Sequence, residues 1–252
     1  MSAIEIRSEF IRIAHAFTAG ATGVFDIEHL KHGHAVKNIY VEPHASGKGV
    51  QIVSTDGGCM CVQWDREGHV DRPYLICGLT RPDTLDMSGS NISERWLVGS
   101  PEKLSIRQDI GPKYPTKRLS GVTACKVRLR DEATDEPGVT VYPNWRSHLP
   151  SREDIDSMSE GYPGFLNAAY LSIIARLYDD GMQNCRGVRV LHKGSIESPV
   201  LLQFPWRNDL FVLIAPQTPS ISHGWTDMIH DVVSTTRSLK ARAEDDDPAA
   251  GL

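Results

Sequence analysis

Residues 47–64 read GKGVQIVSTDGGCMCVQW. Val50 to Thr55 has the apolar, β-branched make-up of a strand, Asp56–Gly58 marks a tight turn, and a second strand leaves it carrying Cys59 and Cys61. Upstream, VKNIYVEP (36–43) is a further strand, joined to this pair through a turn over Pro43–Gly49. The stretch therefore predicts an antiparallel meander.

Working outward, IEIRSEFIRIAHAF (4–17) places Ile6, Phe10, Ile13 and Phe17 at i, i+4, i+7 and i+11, which predicts an amphipathic helix with Arg7 and Arg12 on its exposed side. The same order returns near the other end. In GFLNAAYLSIIARLYDDG (164–181), Leu166, Ala169, Tyr170, Ile173, Ile174 and Leu177 form one stripe and Gly181 supplies a C-terminal stop. CRGVRVLHKG, SPVLLQFPW and DLFVLIAPQ then follow as three strands. A helix followed by strands, met twice, predicts two copies of one unit.

Between them, residues 79–121 are rich in Pro, Gly and Ser and predict loops and short strands, with only EKLSIRQ (102–108) extended. TACKVRLRDEATDEPGVTVYP (123–143) alternates apolar and polar on both sides of an acidic turn and predicts a hairpin. Residues 217–252 predict one short helix, with Trp225, Met228, Ile229, Val232 and Val233 on one side, and then a flexible acidic tail.

A chain of 252 residues accommodates one large domain or two of about 110–130 residues. With 40% hydrophobic and 23% charged residues its composition is that of a soluble globular protein. No apolar run approaches the ~20 residues of a membrane helix, and the start MSAIEIRSEF lacks the features of a secretory signal, so the expected location is the cytoplasm. Five cysteines, an odd number, fit reduced thiols better than a disulfide framework. A formal charge of −5 argues against coating nucleic acid by bulk attraction and leaves a local basic face open.

Cys59 and Cys61, two apart on a strand, share one face, but neither Cys77, Cys125 nor Cys185 supplies the second knuckle of a zinc site, so they read as small core thiols. HLKHGH brings His29, His32 and His34 together without the H-E-x-x-H spacing of a helical metal site. The TDGG turn is a possible anion nest by composition, yet the P-loop signature is absent and no helix follows. No G-x-S-x-G elbow occurs, and the acidic residues are scattered. No catalytic residue, cofactor or metal is assigned.

Three separated pieces share features with one family. VQIVSTDGGCMCV resembles the second-domain segment of bacterial sliding clamps, the β subunit of the replicative DNA polymerase, in which a strand runs into ATDGHRLA. VYPNWRSHLP (141–150) resembles the FPDYRRVLP segment that closes that domain, and GFLNAAYLSIIARL through SPVLLQFPWRNDLFVLIAPQ resembles the last half of the third, with its GFNxxYLLDALxxL helix and YVVMPMRL end. The pieces keep the family's order, and residues 79–121 are unmatched.

The resemblance implies an α+β, DNA-clamp-like fold: repeated helix-plus-antiparallel-sheet units, with the helices on one face of a curved sheet. It implies a clamp-like domain over 1–150 with a divergent middle (79–121), a second domain or half-domain over 151–216, and a C-terminal extension over 217–252. It also implies a partner-peptide groove walled by Thr55, Gly57, Gly58, Met60, Pro143, Leu149, Val212, Leu213, Ile214 and Pro216. These residues suit a shared core equally well, and both readings stand at this point. Where the family has His-Arg after the turn glycine this chain has Gly58 and Cys59, which removes part of the groove's polar rim. Arg7, Arg12 and Arg176 are the implied DNA-facing residues, although Asp179 and Asp180 follow closely.

The function these implications carry is non-enzymatic: a sliding-clamp-like protein of DNA replication, processivity or recruitment. It tethers replication or repair proteins, captured through a short apolar motif, to double-stranded DNA. A homo-oligomeric ring is implied, a trimer if each chain holds two full domains. Two alternatives stand beside it: a clamp-derived adaptor that does not encircle DNA, and a metal protein or enzyme built on His29, His32 and His34.

Overall fold

Ile4–Arg7 is a strand, β1, and helix α1 begins only at Ser8, running to Ala16. This corrects the expected helix over 4–17. Ile4 and Ile6 are fully buried and alternate with half-buried Glu5 and Arg7, and β1 has a strand on each side. The Ile6–Phe10 spacing thus straddles a strand and a helix, and ladder pairing on both edges outweighs the apparent helical stripe.

A computed structural model describes residues 3–22, 33–87, 95–108, 116–130, 139–160, 166–179, 187–195, 198–204 and 207–215. His29, His32, Pro216, and the expected helix and tail over 217–252 lie outside the described residues, as do the side chains of His34 and Arg176. After α1 come two short helices, α2 (Ala19–Thr22) and α3 (Gly33–Val36), and the predicted meander β2 (Ile39–Pro43), β3 (Val50–Thr55) and β4 (Cys59–Asp65). Then follow β5 (His69–Val70), β6 (Tyr74–Cys77), α4 (Arg81–Asp86), β7 (Arg95–Ser100), β8 (Lys103–Gln108), β9 (Lys117–Arg118), β10 (Thr123–Leu129) and β11 (Thr140–Tyr142). A 3₁₀ turn (Trp145–His148) and α5 (Arg152–Asp156) lead to β12 (Ser159–Glu160), α6 (Ala168–Asp179), β13 (Arg189–His192), β14 (Val200–Phe204) and β15 (Arg207–Ile214).

The strands make two sheets. The smaller has the order β5-β1-β7-β8-β9; the larger has ten strands in the order β11-β10-β6-β2-β3-β4-β15-β14-β13-β12. Strand, helix, three strands occurs three times: β1-α1-β2-β3-β4, β6-α4-β7-β8-β9 and β12-α6-β13-β14-β15, with short pieces between. The first two units exchange their leading strands, since β1 joins the sheet of β7–β9 and β6 joins the sheet of β2–β4. The middle unit lies partly in the segment read as loops, where short elements between Pro and Gly residues hide their period. The hairpin expected over 123–143 is also corrected, because β10 and β11 pair in parallel, Val127 opposite Thr140. Parallel strands cannot be closed by a tight turn, so β10 and β11 are not the two arms of a hairpin.

The larger sheet continues across residue 150 because β4 pairs antiparallel with β15, Met60 opposite Leu213 and Cys59 opposite Ile214. One face of it carries the helices. There Phe10, Ile11 and Ala14 of α1 pack with Ile39, Val41, Val50 and Ile52, while Ile13 and Phe17 pack with Cys59, Cys61, Val212 and Ile214 and with Tyr170, Ile173 and Ile174 of α6. Val53, Met60, Val62, Leu201 and Leu213 face the other way and are covered by Tyr142 and Trp145 of the connecting segment, with Leu149 and Met158 packed against them. The architecture is α+β, with repeated helix-plus-antiparallel-sheet units and the long helices on one face.

Candidate functional site

The site grows from the turn between β3 and β4. Asp56 is fully buried there, and its Oδ1 accepts the backbone N–H groups of Gly58 at 2.9 Å and Cys59 at 2.8 Å. The Thr55 hydroxyl donates to the Cys59 carbonyl at 2.6 Å and accepts the Gly57 N–H at 3.1 Å. Gly57 has φ +95°, a conformation that penalises any side chain. The Gly58 and Cys59 N–H groups that an anion nest needs are thus spent on the chain's own carboxylate. The turn is a rigid structural corner, and its Gly58 carbonyl accepts the Ala215 N–H at 2.7 Å, tying it to the end of β15.

Strand alternation sorts the expected groove residues onto two faces. Thr55, Met60 and Leu213 stand in register on the face opposite α1 and α6, with Leu201 next across the sheet. Val212 and Ile214 point the opposite way, fully buried against α6, so their side chains are core and not groove wall. The expectation is corrected for these two because neighbours along a strand face opposite sides. Met60 and Leu213 are 7% and 5% exposed, covered by the connector, so the floor around them is filled. Gly57 is exposed, Gly58 buried, and Pro143 and Leu149 half-buried in the connector.

Open space lies one step further along the same strands. A cleft of about 700 Å³ is lined by Val62 and Trp64 of β4, Phe211 of β15, Gln203 of β14, and Trp145 and Leu149 of the connector, with Arg189 and His44 at its edges. Val62 and Phe211 face each other across the β4–β15 ladder, and Phe211 faces Gln203. Of the expected groove residues Leu149 lines this cleft. Val62 and Phe211 were legible in principle, each being two positions from an expected residue and therefore on its face. Trp64 and Trp145 carried no local signal.

The cleft's walls are held by charge. Arg146 Nη2 donates to Glu42 Oε1 and Oε2 at 2.6 and 2.7 Å, Tyr40 Oη donates to the same carboxylate at 2.9 Å, and the Arg146 guanidinium lies 4.9 Å from the Trp145 centroid. These contacts pin the 3₁₀ turn to β2. Trp64 stacks on His44 with centroids 4.2 Å apart and receives the Arg66 guanidinium at 4.5 Å. Apolar Val62, Leu149 and Phe211 share the cleft with polar Gln51, Gln203, Arg189 and Asp209.

Two of the three expected DNA-facing side chains, Arg7 and Arg12, are described. Arg7 Nε donates to Asp65 Oδ1 at 3.0 Å, its backbone N–H to Oδ2 at 2.8 Å, and its guanidinium lies 4.8 Å from the Phe10 centroid. Arg12 is only 7% exposed. Arg7, the last residue of β1, and Arg12, in α1, were the expected DNA-facing residues here, and the structure draws the side chain of each into the fold. Burial pushes the Cys59 thiol up, with Asp56 adding to the effect, and likewise raises Cys61. Neither is a ready nucleophile or metal ligand. Among the described residues no group of three or more His, Cys, Asp or Glu side chains is gathered for a metal, and no helix is long and apolar enough to cross a membrane.

No protein-family model matches the chain, and no curated protein matches it in sequence. Solved structures do match. The DNA polymerase III subunit beta of Borrelia burgdorferi, in complex with a natural product, is similar with a TM-score of 0.51 and 9% identity, over 85% of this chain and 64% of that one. The Helicobacter pylori beta clamp bound to a DNA ligase peptide is similar with a TM-score of 0.51 and 11% identity, over 87% of this chain and 67% of that one. The chain spans less than two thirds of the Borrelia protein's length.

Proposed function

From the sliding-clamp fold of this chain we propose that it is a non-enzymatic recruitment protein of DNA replication or repair, which captures partner proteins through a short apolar peptide and tethers them at double-stranded DNA. The observation that carries this reading is the β4–β15 pairing, which joins two clamp-type units into one sheet and leaves the cleft of Val62, Leu149 and Phe211 open beside the junction. Leu and Phe anchors of a peptide fit its apolar floor, and Arg189 and His44 supply a polar rim in place of the His-Arg pair absent after the turn. Thr55, Gly57, Gly58, Met60 and Leu213 serve as the scaffold beneath it, with Pro143 and Leu149 in the wall. Tethering needs no chemistry; it needs a ring or a partner-bound platform.

The test is binding of a fluorescein-labelled peptide with Leu and Phe anchors, followed by polarisation. Leu149→Asp and Phe211→Asp, both at half-buried positions, are expected to weaken binding at least tenfold with the fold retained by circular dichroism. Unchanged affinity in folded variants rejects the cleft.

The engagement of Arg7 with Asp65 and the burial of Arg12 favour a second reading, in which the chain is an adaptor that does not encircle DNA. Light scattering at high concentration separates the two. A homo-oligomer retained on nicked circular DNA and lost on linearisation supports the ring, and a strict monomer supports the adaptor.

A further inference from the structure

Four of the five cysteines lie among the described residues, and they fall into two classes. Cys59 and Cys61 are sealed in the helix-side core, whereas Cys77 is half-buried and Cys125 is exposed. Cys77 ends β6 and Cys125 lies on the adjacent, antiparallel β10. The register sets Cys125 opposite Leu75 and Thr123 opposite Cys77, so the two cysteines are diagonal neighbours on one face. The Cys77 thiol donates to the carbonyl of Leu75, the residue that Cys125 faces across the ladder, at 3.4 Å.

We propose that Cys77 and Cys125 form a dithiol that a hydroperoxide closes to a reversible intramolecular disulfide. The exposed Cys125 sulfur attacks the peroxide oxygen, breaking the O–O bond to give a sulfenic acid and one molecule of water or alcohol. The Cys77 sulfur then attacks the sulfenic sulfur, the S–S bond forms, and the hydroxyl leaves as water with the Cys77 proton. Two thiols are oxidised by two electrons, and one peroxide is reduced.

Exposure favours this order of events, since Cys125 is open to solvent and Cys77 half-buried. Burial and the neighbouring Cys125 hold the Cys77 thiol up at about 12, so it waits as the resolving group rather than meeting the oxidant first. A diagonal pair starts at the long end of the Cα separation a disulfide spans, about 7 Å, so closure requires the strand ends to move. The ladder ends at this point. Gly78 and Gly121 follow and face it with φ near +80° (+80° and +79°), and an added side-chain carbon on Gly78 would meet the Gly121 carbonyl oxygen at 2.3 Å. Only glycine permits so close an approach of the two strand ends, so closure has to be taken up at the free end of the ladder. A bond closed under such strain is readily reduced, which makes the modification reversible.

The consequence lies next door. β10 also pairs with β11, whose chain continues through Pro143 into Trp145 and Leu149, so cross-linking β6 to β10 stiffens the strand against which β11, the start of the connector, is paired.

The test treats the full chain with hydrogen peroxide, alkylates remaining thiols with N-ethylmaleimide after denaturation, and maps peptides by mass spectrometry. The expected result is loss of two alkylatable thiols, a single cross-linked pair containing residues 77 and 125, and full reversal by dithiothreitol. In Cys77→Ser the Cys125 sulfenic acid is expected to persist and be trapped by dimedone, while in Cys125→Ser the thiol of Cys77 stays alkylatable. The proposal is overturned if peroxide leaves all thiols alkylatable, if Cys125 proceeds to sulfinic acid in the wild type, or if the bond found is between chains.

Discussion

The Tyr170 hydroxyl donates to Asp56 Oδ2 at 3.0 Å and lies 3.2 Å from Oδ1, joining helix α6 to the β3–β4 turn across 114 positions of sequence. Both residues are buried, at 1% and 0% exposure. A carboxylate that closes a turn of one unit is completed by a hydroxyl from another, so the turn's geometry depends on the docking of α6.

Tyr170→Phe deletes this one bond with little change in shape. The expected loss is about 1.5–3 kcal/mol, the usual worth of a hydrogen bond to a charged group, read from the urea midpoint. Asp56→Ala is expected to cost more, because it also frees two backbone donors at Gly58 and Cys59. Equal losses in the two variants would show that the turn does not need its carboxylate.

Burial raises the Tyr142 and Tyr170 hydroxyls together with the Cys59 and Cys61 thiols. A raised value in the fold means that the folded chain keeps protons which the unfolded chain gives up above about 8.5 for thiols and about 10 for phenols. Stability is therefore fully present below about pH 8.5 and falls as pH rises beyond it. Urea midpoints measured from pH 6 to 11 are expected to be level at first and to decline on the alkaline limb. A level profile throughout contradicts the burial of these groups.

Arg7 is expected to matter for folding and not for DNA. Asp65 is fully buried, so Arg7→Ala leaves an unpaired carboxylate in the core and costs about 3 kcal/mol. If the chain associates with DNA, the dependence of affinity on log salt is expected to be the same in Arg7→Ala as in the wild type at a temperature where both are folded. A slope reduced by about one unit would return Arg7 to the DNA-facing role.

The Glu42–Arg146 pair is expected to hold the connector. Arg146 is half-exposed, so solvent screens the pair and Glu42→Gln is expected to cost only about 1 kcal/mol globally. Local effects are expected to be larger. Limited proteolysis near residues 145–149 is expected to accelerate several-fold, and peptide affinity to fall with it; unchanged cleavage would mean that packing of Tyr142 and Trp145 alone suffices.

Gly57→Ala tests the turn itself. With φ at +95° the added side chain is expected to cost about 1–2 kcal/mol, seen as a lower urea midpoint.

How much of this was legible in advance varied with the distance over which each decision is made. The meander at 36–64, α6 and the last three strands carry their period within single elements, and each was read from it. The β1–α1 boundary was misread because Ile6 fits a strand and a helix equally well until β7 and β5 are present to pair with Ile4–Arg7. The parallel pairing of β10 and β11 was misread for the same reason, since alternation specifies a strand and says nothing of its neighbour's direction.

For the candidate site the division is sharper. The amino-acid sequence by itself determined the turn at 55–58, the alternation of Cys59, Met60, Cys61 and Val62, and the strand Leu210–Ile214, because these depend on backbone preference and a period of two. Only the tertiary structure decided that Val212 and Ile214 belong to the core, that Met60 and Leu213 are roofed by the connector, and that open space begins at Val62 and Phe211. It alone joined Asp56 to Tyr170 and set Cys77 and Cys125 on adjacent strands. Faces, lids and long-range partners are set by which strands meet, and that choice is made by the burial of the whole chain at once.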